Sequence, residues 1–347
     1  MNTKLNCPLP MNEYDRVLLA HGSGGTLSNK LYTDVIFSEL MNEYLYDIHD
    51  SAVVTSGAVR LAFTTDSYVV KPIFFPGGDI GKLAVFGTVN DLAVVGAKPR
   101  FISCSFIIEE GLLMSELKKI VRSIFEASVK ANVKVVTGDT KVVEKGQGDK
   151  IFINTSGIGI FDRDIVISPK RCKKGDVVII NGYIGNHGIA VMLEREGVIF
   201  ESNIESDSAP LNGLISNILD KCMDIHMMRD ATRGGVASVL NEIAKSAKVG
   251  ILLYEENLPV REDVKSACEI MGFDPLYVAN EGKVIVIADA SDADKIVSIM
   301  KQHELGKNAA VIGEIISDNP GIVTMKTVIG TTRIVDMISG EQLPRIC

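Results

Sequence analysis

No apolar stretch in this chain approaches the ~20 residues that a membrane-spanning helix needs. Its first ten residues, MNTKLNCPLP, hold one lysine and no continuous apolar segment. Neither a membrane span nor a secretory signal peptide is therefore expected. The six cysteines, at 7, 104, 172, 222, 268 and 347, include no CxxC pair, and the five histidines form no HExxH or His-x-His. That argues against a disulfide framework and a structural zinc site, and fits a reducing cytoplasm. A Walker loop and a G-x-G-x-x-G at a strand–helix junction are both absent, so ordinary P-loop and Rossmann folds are not supported. Positive charge is scarce as well: 36 Lys and Arg against 44 Asp and Glu leave a net charge of −8. Such a surface repels phosphate backbones and anionic lipid, so neither nucleic acid nor a membrane is an expected partner.

What remains is an ordinary globular composition, 46% hydrophobic and 23% charged over 347 residues, enough for two or three domains. Strand and helix patterns alternate, predicting an α/β chain without short repeats. RLAFTTD (60–66), RFISCSFIIEE (100–110), VKVVTGD (133–139) and IFINTSGIGIF (151–161) read as strands. Residues 79–96 read as a helix, and 115–132 as an amphipathic one with Ser115 as N-cap and Leu117, Ile120, Val121, Ile124 and Ser128 inward. The polar run from Arg163 to Gly175 suggests a boundary, after which the alternation resumes. The expected organisation is a flexible arm over 1–50, domains over 51–165 and 166–335, and an exposed tail over 336–347.

Several acids stand at strand ends or helix junctions: Asp50 before SAVV, Asp66 closing AFTTD, Asp139 after VVTG, and Asp230 before ATRGG. Each taken alone is a turn or capping acid, or a ligand for a hard cation. Asp91 differs, because Asn90 and Asp91 interrupt an apolar helix. A buried carboxylate needs a partner, whether a metal or an Arg or Lys. HGSGGT (21–26) and TRGGVA (232–237) are glycine-rich, and the second opens a predicted helix, where free N–H groups favour an anion. GDTK (138–141) is a plain turn or a third such candidate. The last residue is Cys347. Exposed thiols oxidise, so it is either incidental or a carrier that swings between sites. The neighbouring α-carboxylate raises its pKa, and Arg345 offsets this only in part.

In order, HGSGG, DSAVV, the block TTDSYVVKPIFFPGGDIGKLAVFGTVNDLAVVGAKP, VTGDTKVV, RDATRGGVA, NEGK and the final PRIC resemble the HypE family of hydrogenase maturation factors. These are carbamoyl dehydratases within the AIR synthase superfamily. The resemblance runs from about residue 20 to 347, and PRIC and the NDL…GAKP block are its most specific parts. It implies two α/β AIR synthase-like domains, with the N-terminal sheets of a homodimer pairing into a barrel. It further implies ATP bound between the domains, and Mg²⁺ held by Asp50, Asp91 and Asp230. Asp66, Gly138, Asp139 and Thr140 would contact ATP or its metals, with Asn90 as an auxiliary ligand. Thr232, Gly234 and Gly235 belong to the phosphate-binding start, and HGSGG would close over the phosphates. Lys141 and Glu281 are the acid/base candidates near Cys347. The implied partners are a HypF-like carbamoyl donor and a HypC–HypD complex as cyanide acceptor.

A carbamoyl group on Cys347 gives this set a chemistry. Its oxygen leaves poorly until ATP phosphorylates it, and loss of phosphate and of the nitrogen protons yields S–C≡N. The tail then has to visit several sites, with Ile346 filling an apolar niche beside the thiol and Arg345 pairing with an acid. Selenophosphate synthetase is the first rival, but its Gly-rich loop carries a Cys or selenocysteine and a Lys, whereas AHGSGGT carries neither. AIR synthase has no use for a terminal cysteine. An ATP-responsive scaffold is the non-enzymatic alternative. Cys7 and the first twenty or so residues receive no role.

Overall fold

The computed structural model describes residues 15–46, 49–197, 203–222, 224–338 and 345–347. Cys7 lies outside these. A 3₁₀ turn over Leu19–Gly22 leads into α1 (Thr26–Lys30) and α2 (Phe37–Leu40). There follow β1 (Ala52–Ser56), β2 (Val59–Tyr68), a short hairpin of β3 (Phe74–Phe75) and β4 (Gly78–Asp79), and α3 (Ile80–Val94). The first half closes with β5 (Lys98–Glu109), α4 (Met114–Ala131), β6 (Lys134–Thr137), β7 (Thr140–Val143) and β8 (Ile151–Ile160). The second half runs through β9 (Asp176–Ile180), α5 (Asn186–Glu196), α6 (Asn212–Leu219), β10 (Ile225–Asp230), α7 (Gly235–Ala247) and β11 (Gly250–Tyr254). It ends with α8 (Glu262–Met271), β12 (Val284–Asp289), α9 (Ala293–Lys301), β13 (Ala310–Ile316), β14 (Val323–Lys326) and β15 (Thr332–Ile334).

The first sheet has the order β1-β2-β8-β5-β6, with β7 also on β5. The second has the order β10-β12-β9-β13-β11-β14-β15. Both are mixed: β6 and β7 run parallel to β5, and β14 runs parallel to β11.

Helix α3 joins the halves. Asp79 caps it, accepting from the Gly81 and Lys82 amides at 2.7 and 3.1 Å. Nearly every side chain from Ile80 to Val94 is buried. A helix apolar on all sides is one covered on all sides. One face lies on β2, β5 and β8, and the rest meets α4, α6 and β10. Asn90, the polar interruption, is the clasp between the halves. Its Oδ1 accepts from the Leu211 amide at 2.8 Å, and its Nδ2 donates to the Ala209 and Glu281 carbonyls at 3.1 and 3.3 Å.

Among the described residues, the other face of the first sheet carries no helix. Phe63, Ile158 and Phe101 are register partners across three strands, and all three are exposed.

Several sequence expectations need correction. Helix α4 begins one residue before Ser115, after an extended Leu113, and has no side-chain cap. Val121 is 48% exposed rather than inward, because the buried stripe runs through Ile120, Ile124, Ala127, Ser128 and Ala131. The segment 1–50 is not a bare arm where it is described, since α1 docks against the end of the chain: the Thr26 amide donates to the Ile338 carbonyl at 2.9 Å. The tail is not simply exposed either. Met337, Ile338 and Ile346 are buried, each apolar side chain of a polar stretch finding its own niche.

Gly25 is fixed by this docking, since a Cβ there would collide with the Ile338 carbonyl oxygen. Gly25→Ala should cost about 1–3 kcal/mol in urea or thermal unfolding, the range for overpacking a tight contact. Unchanged stability would mean that the loop does not rest on the chain's end.

Candidate active site

Three acids from three elements converge. Asp50 precedes β1, Asp91 sits on α3 and Asp230 ends β10, and carboxylate oxygens of all three lie within 4.8 Å of one another. Asp91 is also held from the sheet side: Thr64 Oγ1 on β2 lies 2.8 Å from its Oδ2. Burial pushes the Asp91 carboxyl well above its usual range, and the neighbouring Asp230, Asp50 and Asp66 push it further. Burial and Asp50 do the same to Asp230. Asp50 rises to about 6, burial outweighing the opposing Arg229.

Among the described residues Arg229 is the guanidinium in direct contact with the cluster, its Nε 2.7 Å from Asp50 Oδ1 and an Nη 3.0 Å from Glu242. One cation shared with Glu242 does not neutralise three carboxylates. Asp50 Oδ2 is buried without a hydrogen-bond partner. An all-oxygen donor set with an orphaned carboxylate oxygen suits Mg²⁺. Proton and cation then compete for the same atoms. Followed by calorimetry, Mg²⁺ binding should release protons while these acids are protonated and should strengthen as pH rises, first through about 6, the level of Asp50, with the proton release falling as the acids ionise. A pH-independent affinity would remove these acids as ligands.

The chain's end docks beside this cluster. Val69 N donates to a main-chain carboxylate oxygen of Cys347 at 3.0 Å, and Lys71 N to the Arg345 carbonyl at 3.1 Å. The last residues are thus held by two main-chain hydrogen bonds to the segment that follows β2. Ile346 is buried in the cluster formed by α3, α4 and the first sheet. Arg345 pairs with Asp149 at 2.6 Å. Both expectations for the tip therefore hold, but Arg345 is not what attends the thiol. Burial raises the Cys347 thiol, and the opposing cation is Arg233 of the TRGG turn, whereas Glu281, Asp66 and Asp230 raise it further. Arg233 is anchored by the Gly-rich loop, donating to the Gly22 carbonyl at 3.0 Å.

Glu281 belongs to the same group. Its amide donates to Asp207 Oδ1 at 3.1 Å, and Asp207 pairs with Lys283 at 2.7 Å. Asn280 ties this turn to the RDAT turn, donating to the Ala231 carbonyl at 2.8 Å. Glu281 Oε1 is buried without a partner. Burial holds the carboxyl well above its usual range, with Asp230, Asp207 and Asp66 adding to the effect. Asp66 is raised too, by burial against the pull of Arg233.

The GDTK turn is elsewhere. Thr140 and Lys141 pair with Phe106 and Ile107 of β5, across which lie β8 and then β2. At about 4.8 Å per strand, Lys141 stands roughly 14 Å from β2 and 19 Å from the docked tail. Its Nζ is 2.6 Å from Asp139, and the pair is largely exposed. Gly138, Asp139 and Thr140 instead line an open groove of about 1370 Å³ floored by Phe101, Phe106 and Phe125. Within one subunit, then, Lys141 does not reach Cys347. Asn90 is likewise committed to three backbone partners, which argues against an auxiliary ligand role.

Thr232, Gly234 and Gly235 do lie beside the group, at the start of α7. Gly235 has φ +61° and packs so closely on the Leu276–Val278 backbone that a Cβ would not fit.

The comparisons decide between the rivals. Residues 48–161 match the family model described as AIR synthase related protein, N-terminal domain, and 173–326 match its C-terminal counterpart. Carbamoyl dehydratase HypE of Cupriavidus necator is 45% identical over 346 residues, covering 99% of both chains. The chain belongs to the HypE family of carbamoyl dehydratases.

Solved HypE structures agree. One in a HypE–HypF complex is 53% identical with a TM-score of 0.85, covering 89% of this chain and 99% of that one. Another, in complex with ATP, is 44% identical with a TM-score of 0.81, covering 96% and 100%. The HypE reading therefore stands over selenophosphate synthetase and a non-enzymatic scaffold. Among the described residues no helix is long and apolar enough to cross a membrane. Sequence reasoning missed Arg229 and Arg233. Both stand next to motif residues named above, so a charge count around Asp230 finds them.

Proposed function

We propose that this chain dehydrates an S-carbamoyl group carried on its own Cys347 to a thiocyanate, with ATP as co-substrate, supplying cyanide for nickel–iron hydrogenase maturation. The observation that carries this reading is the insertion of the last residue among Asp66, Asp230, Arg233 and Glu281. The carbamoyl oxygen takes the γ-phosphoryl group as the bond to ADP breaks. A nitrogen proton is lost to give a phosphorylated imidate. Loss of the second proton with departure of phosphate leaves S–C≡N. Phosphoryl transfer needs charge neutralisation and alignment above all.

Asp50, Asp91 and Asp230 are the residues to hold Mg²⁺, which when bound supplies the positive charge that transfer requires. Asp66 and the Thr232–Gly235 turn would face the phosphates. Glu281, buried, partly unpartnered and raised in pKa, is the residue within one subunit suited to take the proton. The helix-free face of the first sheet suits a second copy of the chain. In such a homodimer Gly138, Asp139, Thr140 and Lys141 would reach the site of the other subunit. A HypF-like protein as carbamoyl donor is supported by the HypE–HypF complex of the relative. A HypC–HypD complex as cyanide acceptor and a cytoplasmic setting complete the proposal.

Intact-mass measurement after incubation with the donor system tests it. A carbamoyl group should appear on the last residue, and Mg·ATP should then remove the mass of one water. A Cys347→Ala protein that still dehydrates a carbamoyl donor would overturn the carrier reading.

A further inference from the structure

The inserted tail is gripped by the second half of the chain as well as by Val69 and Lys71, just past β2. His187, Val191 and Arg195 are spaced i, i+4 and i+8 along α5, one continuous face of a helix. All three bear on the chain's end. His187 Nε2 is 3.0 Å from the Ile346 carbonyl oxygen. Val191 is fully buried in the apolar cluster that takes Ile346. Arg195 donates from Nη2 to the Arg345 carbonyl at 2.7 Å and to that of Lys71 at 2.6 Å. Consecutive tail carbonyls are thus read by two residues of one helix face.

The tautomer of His187 is set by its surroundings. The Ser208 amide donates to Ser206 Oγ at 3.1 Å, and Ser206 Oγ is 2.8 Å from His187 Nδ1. Burial favours the neutral ring, and the Ile346 carbonyl can only accept, so the ring proton sits on Nε2, facing it. Nδ1 is then the acceptor for the Ser206 hydroxyl, whose oxygen still receives the Ser208 amide. Phe75 closes on the ring edge-on at 5.4 Å. The ring is buried and locked, and its donor fixes the peptide that carries the Cys347 sulfur.

We propose that this face of α5 is the docking cradle for the terminal residues, with His187 the positioning residue that presents the Cys347 thiol for dehydration and Arg195 its second grip. The proposal rests on the reading of Cys347 as carrier. Donor and acceptor have to meet the same thiol outside the cradle, so the grip must favour dehydration alone. Loss of the grip should therefore speed reactions at the exposed thiol and slow the reaction of the inserted one. A purely structural residue would lose carbamoylation, dehydration and stability together.

The test uses the full-length chain with His187→Leu, which keeps bulk and removes the donor, His187→Gln, whose amide can restore it, and Arg195→Met as a partly exposed second variant. Four quantities are read: iodoacetamide alkylation of Cys347 by peptide mass spectrometry, carbamoylation of Cys347 by the donor system, dehydration of the carbamoylated protein, and thermal unfolding. His187→Leu and Arg195→Met should each speed alkylation and slow dehydration by about tenfold, the factor that one lost buried hydrogen bond implies. His187→Gln should recover most of both. Wild-type alkylation and dehydration rates in His187→Leu and Arg195→Met would overturn the cradle. So would parallel loss of carbamoylation, dehydration and stability. Should His187→Leu not fold, Arg195→Met decides by the same two rates. If wild-type Cys347 is never carbamoylated, the carrier reading fails, and the alkylation rates still decide the cradle.

Discussion

Replacing Glu281 by Gln lowers the rate of ATP-dependent dehydration by about 10²–10⁴, the usual contribution of a positioned general base. The side chain keeps its size and its backbone tie to Asp207, so the fold and the inserted tail should persist. What changes is the ability to accept a proton. Burial, then Asp230, Asp207 and Asp66, hold the wild-type carboxyl well above its ordinary value. A raised carboxyl is protonated, and useless as a base, at pH values where an exposed glutamate is already ionised. The wild-type dehydration rate should therefore rise with pH through that raised pKa and then level. In Glu281→Gln the limb should vanish together with the rate. Single-turnover rates on pre-carbamoylated protein across a pH series supply the measurement. A variant with a wild-type rate and an unchanged limb would exclude Glu281 as the base.

The contrast with Lys141 shows what the sequence made legible. Strand and helix periodicity is local, so α3, α4 and the β2, β5 and β8 strands could be read directly. Asp91 stood out because a carboxylate inside an apolar helix is costly wherever that helix packs. Its convergence with Asp50 and Asp230 depends on two sheets meeting across α3, which no single segment encodes. Lys141 and Glu281 looked equivalent as motif residues. Strand order separates them, leaving one at the far edge of the first sheet and the other buried against Asp230. The α5 grip was invisible for a related reason. His187 follows a glycine turn with nothing around it to mark a role, and its partner lies 159 positions away. The tail looked exposed because it is polar on average, although burial there is decided by Met337, Ile338 and Ile346 singly.

Asp91→Asn should separate the two halves of the reaction on Cys347. The carbamoyl group reaches the thiol from a donor that meets the tail, and that step does not call on the acids near α3. Intact mass should then show the variant carbamoylated like wild type but unchanged by Mg·ATP. The physical basis is charge count. Three carboxylates face a site where the guanidinium of Arg229 offsets about one of them and is itself shared with Glu242. Replacing one by a neutral amide removes a ligand charge, and charge count tunes cation affinity. Stability should move the opposite way from activity. Asp91 is raised in the folded chain, so without a cation stability falls as pH climbs from the ordinary carboxylate range towards that raised pKa, and above it the whole penalty is present. Asparagine lacks this penalty, and its amide oxygen can still accept from Thr64, which lies 2.8 Å from Oδ2. The cation-free melting temperature of Asp91→Asn at neutral pH should therefore match or exceed that of wild type, while the rise produced by Mg²⁺ in wild type should be lost. A variant that melts far lower without cation would show Asp91 to be a structural acid. One that keeps wild-type dehydration at limiting Mg²⁺ would detach the three acids from the reaction altogether.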